Sequence, residues 1–198
     1  MSWLRKTGVS LIAGGAMLCA AGLGTVAYGR VMARMEVAQF RAQGGGAALW
    51  DAQRILAYKK TLNVRFAPTL AVLRIPAVGI EVPVLEGTSD AEMNRGVGHI
   101  AGTAMPGEIG NVGIAGHRDG FFRALKDVKV GDVLELERKT DGGAQSDRYR
   151  VERMAVVDPA DVNAVAPTND ATLTLVTCYP FYFVGTAPKR FVVHAVRQ

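Results

Sequence analysis

Three side chains of complementary chemistry stand at the margins of apolar runs. Cys178 ends an alternation of β-branched and aliphatic residues, Thr-Leu-Thr-Leu-Val-Thr (172–177). Arg190 opens the next one, Phe-Val-Val-His (191–194), after a stretch broken by Gly185 and Pro188. His117 follows Val-Gly-Ile-Ala-Gly (112–116), far upstream. A deprotonated thiol is a nucleophile, and an imidazole moves protons near neutral pH. A guanidinium stays charged at any working pH and offers its donors in a planar fork, which a lysine does not. A thiol, an imidazole and a fixed cation are the parts needed for nucleophilic acyl transfer. Ordinary pKa values of about 8.5 for a thiol and 6.5 for an imidazole favour the neutral pair over thiolate–imidazolium by roughly a hundredfold.

The elements that must position these groups read mainly as strands. Period-two alternation predicts strands through 172–178 and 190–196, joined by a loop, and one through 112–115 that delivers His117. If the last two strands pair, Cys178 and Arg190 reach one surface spot. Earlier strands are expected at 71–75 and 78–84, with Pro83 marking an end or an edge because it lacks a donor. Ser89-Asp-Ala-Glu92 is a capping-box pattern that opens a short helix, which Gly96 can close. A glycine-rich loop should run through His99, Pro106 and Gly110, and a short helical segment should carry Phe121, Phe122 and Leu125. Further strands are read at 127–138 and 149–157, separated by a polar hairpin loop at 140–147, with turns at 158–161 and 166–168. Seven or eight strands with few helices and no strand–helix–strand rhythm predict a closed or nearly closed barrel.

The run Leu-Val-Thr-Cys-Tyr-Pro (175–180) with Arg190 downstream and Gly-His-Arg (116–118) upstream resembles the sortase family. Gly-Val-Gly-His-Ile-Ala-Gly-Thr-Ala-Met-Pro-Gly (96–107) is similar to the loop before the catalytic histidine strand of many sortases, and the resemblance covers roughly 71–196. It implies an eight-stranded β-barrel and a membrane-anchored cysteine transpeptidase acting at the cell envelope. In that reading Cys178 is the nucleophile, His117 the proton donor and acceptor, and Arg190 the group facing the oxyanion or substrate backbone. The implied partners are a protein with a C-terminal sorting signal like Leu-Pro-any-Thr-Gly and an amine acceptor, from a cell-wall peptide or a protein. The Thr-Leu-Val-Thr-Cys-Tyr-Pro run (174–180) resembles class D or related Gram-negative sortases. No Asp-Pro-aromatic tripeptide precedes the barrel, which argues against the pilin-polymerising class. Two rivals stay open: a cysteine protease whose acceptor is water, and an envelope binding module with an inactive site.

No residue between Lys6 and Arg30 is charged. Residues 8–29 would reach about 33 Å as a helix, enough to cross a hydrocarbon core of about 30 Å. The chain is therefore expected to divide into a short cytoplasmic stretch (1–7), a transmembrane helix (8–29), an extracytoplasmic helical linker (30–67) and a catalytic barrel (68–198). A cleaved signal peptide is the alternative, although the run exceeds the usual apolar region of about 7–15 residues. Arg5, Lys6, Arg30, Arg34 and Arg41, against Glu36 alone, supply most of the net charge of +5. The rest is nearly neutral and lacks a basic run, so no nucleic-acid partner is expected. Cys19 falls inside the apolar run, leaving Cys178 as a lone thiol in an exported domain.

Other candidates carry less. Thr177 could shape an oxyanion site or simply be a β-branched strand residue. His99 could line the substrate groove or serve its loop. His194 falls on the strand face of Arg190. His99, His117, His194 and Cys178 are zinc-ligand types, yet no close pair supports a site, so neither a metal nor another cofactor is expected. The stretch 47–62, with Trp50 and Tyr58, reads as a helix that packs on its own domain or spaces it from the bilayer, with a regulatory arm or partner helix as the functional alternative.

Overall fold

The structure is a computed structural model that describes residues 50, 52–62, 64, 67–182 and 185–198. Eight strands close into a barrel: β1 (Ala71–Ile75), β2 (Ile80–Glu86), β3 (Val97–His99), β4 (Asn111–Gly116), β5 (Val133–Thr140), β6 (Gly143–Val157), β7 (Thr172–Tyr179) and β8 (Lys189–Arg197). Their order around the wall is β1-β2-β3-β4-β7-β8-β6-β5, closing back on β1. The expected closed eight-stranded, mainly β architecture is therefore present. Two pairings are parallel, β2 with β3 and β4 with β7; the others are antiparallel.

Apolar alternation builds the core. Leu73, Ile75, Val82, Val84, Ile114, Leu134, Leu136, Leu173, Leu175 and Val193 are buried inside the barrel cluster. Each such side chain contributes roughly 1.5–3 kcal/mol relative to exposure. Phe122 and Leu125, on a 3-10 segment Phe121–Asp127, join the same cluster.

Several local readings change. The first turn after β1 is a 3-10 segment (Pro76–Val78) ended by Gly79 at φ 67°, so β2 starts at Ile80 and runs on past Pro83 to Glu86. Pro83 pairs with Val72 of β1, while β3 joins only from Val84 onward. The missing N–H therefore interrupts no β2–β3 ladder. The expected loop through His99 contains β3, whose glycines allow it to pass close to its neighbours. A Cβ on Gly96 would lie 2.5 Å from the Pro83 carbonyl oxygen, and one on Gly98 would lie 2.1 Å from that of Gly87. The predicted hairpin loop at 140–147 is ladder almost throughout: β5 and β6 pair from Val133↔Arg150 to Thr140↔Gly143, leaving Asp141 and Gly142 as the connection.

Among the described residues, two helices flank the barrel. The first, α1 (Ala52–Thr61), belongs to the same compact unit as the barrel. Its Tyr58 and the preceding Trp50 lie against Phe121, with ring centroids 6.4 and 4.6 Å away. The second, α2 (Asp90–Arg95), begins at the predicted Ser89 cap, but with a different bond set from the capping box: Ser89 accepts from the Ala91 N–H at 3.3 Å, and its hydroxyl donates to the Glu92 carboxylate. Residues 1–49, which include the expected membrane helix at 8–29 and most of the expected linker, lie outside the described residues. Among the described residues no helix is long and apolar enough to cross a membrane.

Candidate active site

Strand register brings the three chemical groups together. In the β7–β8 ladder Cys178 is the direct partner of Arg190. Directly opposed residues share a face of a sheet, so the thiol and the guanidinium emerge on the same side. On the other flank of β7 the parallel ladder with β4 ends at Gly116↔Thr177. His117, the next residue of the chain, therefore leaves β4 beside Cys178.

Side chains lock this junction. Thr177 is buried and its hydroxyl donates to the Gly116 carbonyl at 2.7 Å, pinning β7 to β4 one residue before both the thiol and the imidazole. Gly116 is required by close packing: a Cβ there would lie 2.7 Å from Cδ2 of Phe122. Arg118 secures the segment after β7, donating to the carbonyls of Pro180 at 3.3 Å and Gly185 at 2.7 Å. Arg190 donates to the carbonyls of Lys189 at 3.1 Å and Ala187 at 3.4 Å, which holds its guanidinium at the rim.

Cys178, His117 and Arg190 line one open cleft of about 320 Å³, whose wall also includes Arg54, Asp119 and Ala187. A second cleft of about 350 Å³ shares His117, Arg54 and Asp119 with it and adds Asp90, Asn94 and Gln53. The imidazole is thus accessible from both. Burial lowers the His117 pKa below the ordinary imidazole value, and the Arg54 charge lowers it further, while Asp119 and Asp90 pull the other way. The Asp90 carboxylate lies 3.7 Å from Nε2 but is 90% exposed, so water screens much of its pull. Cys178 is half-buried and forms no disulfide.

The remaining sequence candidates sit elsewhere. Thr177 contributes its hydroxyl to the strand junction and is absent from the cleft lining. His99 is buried on β3, with Nε2 3.0 Å from the Ala104 carbonyl and 3.1 Å from the Thr103 hydroxyl, and Nδ1 3.4 Å from Glu86. It braces the turn after β3 and does not line the cleft. His194 faces Thr174 across β7–β8. Thr174 gives its one hydroxyl proton to Asn111 Oδ1 at 2.8 Å, so His194 Nδ1, 3.2 Å away, must be the donor to that hydroxyl. Arg54 and Asp90 were not foreseen from the sequence. Asp119 directly follows the Gly-His-Arg run (116–118), whereas Arg54 comes from a helix with no local sign of a cleft.

The Sortase domain family profile matches residues 73–198. Sortase D of Bacillus subtilis (strain 168) is 34% identical over 127 residues, which cover 64% of this chain and 62% of that protein. Sortase SrtE1 of Streptomyces coelicolor is 33% identical over 145 residues, covering 62% of this chain and 38% of that protein. The chain thus matches less than two thirds of the length of these relatives. Among solved structures, a Clostridium perfringens Sortase D5 transpeptidase superimposes with a TM-score of 0.59 at 29% identity, covering 73% of this chain and 88% of that one. Sortase A from Corynebacterium diphtheriae gives 0.60 at 32% identity, covering 72% and 67%. A profile that runs from β1 to the last residue, met by solved structures of the same barrel, leaves one reading: this chain belongs to the sortase family.

Proposed function

We propose that the chain is a cysteine transpeptidase of class D type, which cleaves a C-terminal sorting signal and passes the acyl part to an amine. The observation that carries this reading is the register of Cys178 opposite Arg190, with His117 lining the same cleft. The resemblance to a structure described as a Sortase D5 transpeptidase supports it. Cys178 Sγ attacks the scissile carbonyl carbon, and Arg190 donates to the oxygen as it becomes an oxyanion. The carbon–nitrogen bond breaks, and the departing amine takes a proton from imidazolium at His117. The resulting thioester is opened by the acceptor amine, which gives its proton to neutral His117 as the thiolate leaves. Burial favours neutral imidazole, the form the second half needs, at the expense of the protonated form the first half needs. The uncharged stretch 8–29 would hold the enzyme in the bilayer, with the barrel on the extracytoplasmic side.

The test incubates the full-length chain with peptides varied around Leu-Pro-any-Thr-Gly, with and without an amine such as a lysine-containing peptide. The expected result is a thioacyl adduct on Cys178 in the intact mass, resolving onto the amine when it is present. Release of product at the same rate without amine would make the enzyme a protease, and no adduct with any peptide would leave a binding module.

A further inference from the structure

The helix α1 does more than cover the barrel, because one of its residues reaches the cleft wall. The Arg54 side chain is only 13% exposed, forms an ion pair with Asp119 at 2.6 Å, and donates to the Asn94 side chain of α2. It lines both clefts that share His117. Its place is fixed by the aromatic contacts of Trp50 and Tyr58 with Phe121 and by Arg95, whose guanidinium lies 5.5 Å from the Tyr58 ring centroid. Asp119 is held near His117 by a tight turn in which the Gly120 N–H donates to the His117 carbonyl at 3.1 Å.

Among the described residues, the charged and titratable groups lining the clefts at His117 come from five elements. They are Arg54 from α1, Asp90 from α2, Arg118 and Asp119 from its own turn, Cys178 from β7 and Arg190 from β8. Two of them are carboxylates able to trap an imidazolium. Asp90 faces solvent, whereas Asp119 is the more shielded, with a side chain 36% exposed. A shielded carboxylate left to itself beside an imidazole would pair with it and hold its proton.

We propose that Arg54 is a positioning residue for the thiol–imidazole pair: it engages Asp119 so that this carboxylate does not capture His117, and it ties the helix to the cleft wall. Arg54 touches no reacting atom in this scheme and acts through Asp119. The proposal rests on the acyl-transfer role given to His117. The direction of the electrostatics agrees, since Arg54 opposes protonation of His117 and Asp119 favours it.

The experiment titrates the full-length chain labelled with ¹³C in its 3 histidines, following His117 by NMR, alongside the pH profile of kcat/KM. In Arg54→Ala the His117 midpoint should rise by about one pH unit, the scale of an opposite charge within hydrogen-bonding reach, and the acidic limb of the profile should move with it. Arg54→Gln, which drops the charge but keeps a donor for Asn94, should give the same shift and serves if the alanine variant fails to fold. Adding Asp119→Asn to either should return the midpoint towards the parent value. An unchanged midpoint in the single variants, or a double variant no different from the single, overturns the proposal; a helix merely loosened would lower the thermal midpoint and give the second pattern. If the NMR shift appears while the parent forms no thioacyl adduct, the Arg54–Asp119 clamp stands and the acyl-transfer reading falls.

Discussion

Cys178 stands directly across the β7–β8 ladder from Arg190, so the barrel wall itself sets their backbone spacing and puts both side chains on one face. His117 enters from the opposite side of β7, where the β4 ladder stops. A single strand thus carries the thiol between the imidazole and the guanidinium.

Removing the thiol separates chemistry from folding. Cys178→Ala should lower the rate of peptide cleavage at least about a thousandfold, as expected when one member of a concerted catalytic group is lost. Because Cys178 is half-buried and lacks a disulfide, the thermal midpoint should stay close to that of the parent. Peptide cleavage assays and a thermal melt on the same preparation check both halves.

Arg190→Lys tests whether direction or mere charge is needed. Lysine keeps the cation but cannot reproduce a planar fork held by the Lys189 and Ala187 carbonyls. We expect a loss in kcat of about a hundredfold or more, the range for an oxyanion donor, with KM little changed. A lysine variant retaining parental kcat would reduce Arg190 to a charge at the rim.

The junction beneath the site has its own signature. Thr177→Val removes the hydroxyl that donates to the Gly116 carbonyl while keeping the strand-forming shape. Leaving that buried carbonyl short of a partner should cost about 1–3 kcal/mol in urea unfolding. Cleavage should also slow by about tenfold, since small misplacements of reacting groups are costly. Loss of stability with full activity would show that Thr177 serves the fold alone.

Stability should fall on the acid side. His117 and His194 both have pKa values lowered in the fold, each by burial first; Arg54 adds to the effect at His117 and Arg153 at His194. The unfolded chain therefore takes up these protons more readily than the fold does. Full stability holds above the unfolded value of about 6.5 and is lost as pH drops from there through the lower folded values. Thermal melts across this range should show the decline, and His117→Gln together with His194→Gln should flatten it.

Much of the site could be read from residue order because it is built on ladders. The alternation 172–177 and the apolar pair after Arg190 needed only a hairpin to set Cys178 against Arg190. By contrast, β3 has three residues, one of them Gly98, and no alternation long enough to register. Pro83 misled because its cost depends on which neighbour a strand has at that position, and β3 reaches β2 only after it. Arg54 and Asp119 lie 65 residues apart. Their contact follows from where Trp50 and Tyr58 dock on Phe121, a tertiary event with no local pattern.

The seat of β7 against β8 also bears on the order in which the cleft is assembled. Arg190 follows Cys178 along the chain, and β7 has no complete seat until β8 has been made. A ribosome-bound or prematurely terminated chain exposes a bare thiol on an unfinished wall, without its guanidinium neighbour. Thiol and guanidinium therefore come to face one another only once β8 is in place, a timing written into the order of the staves.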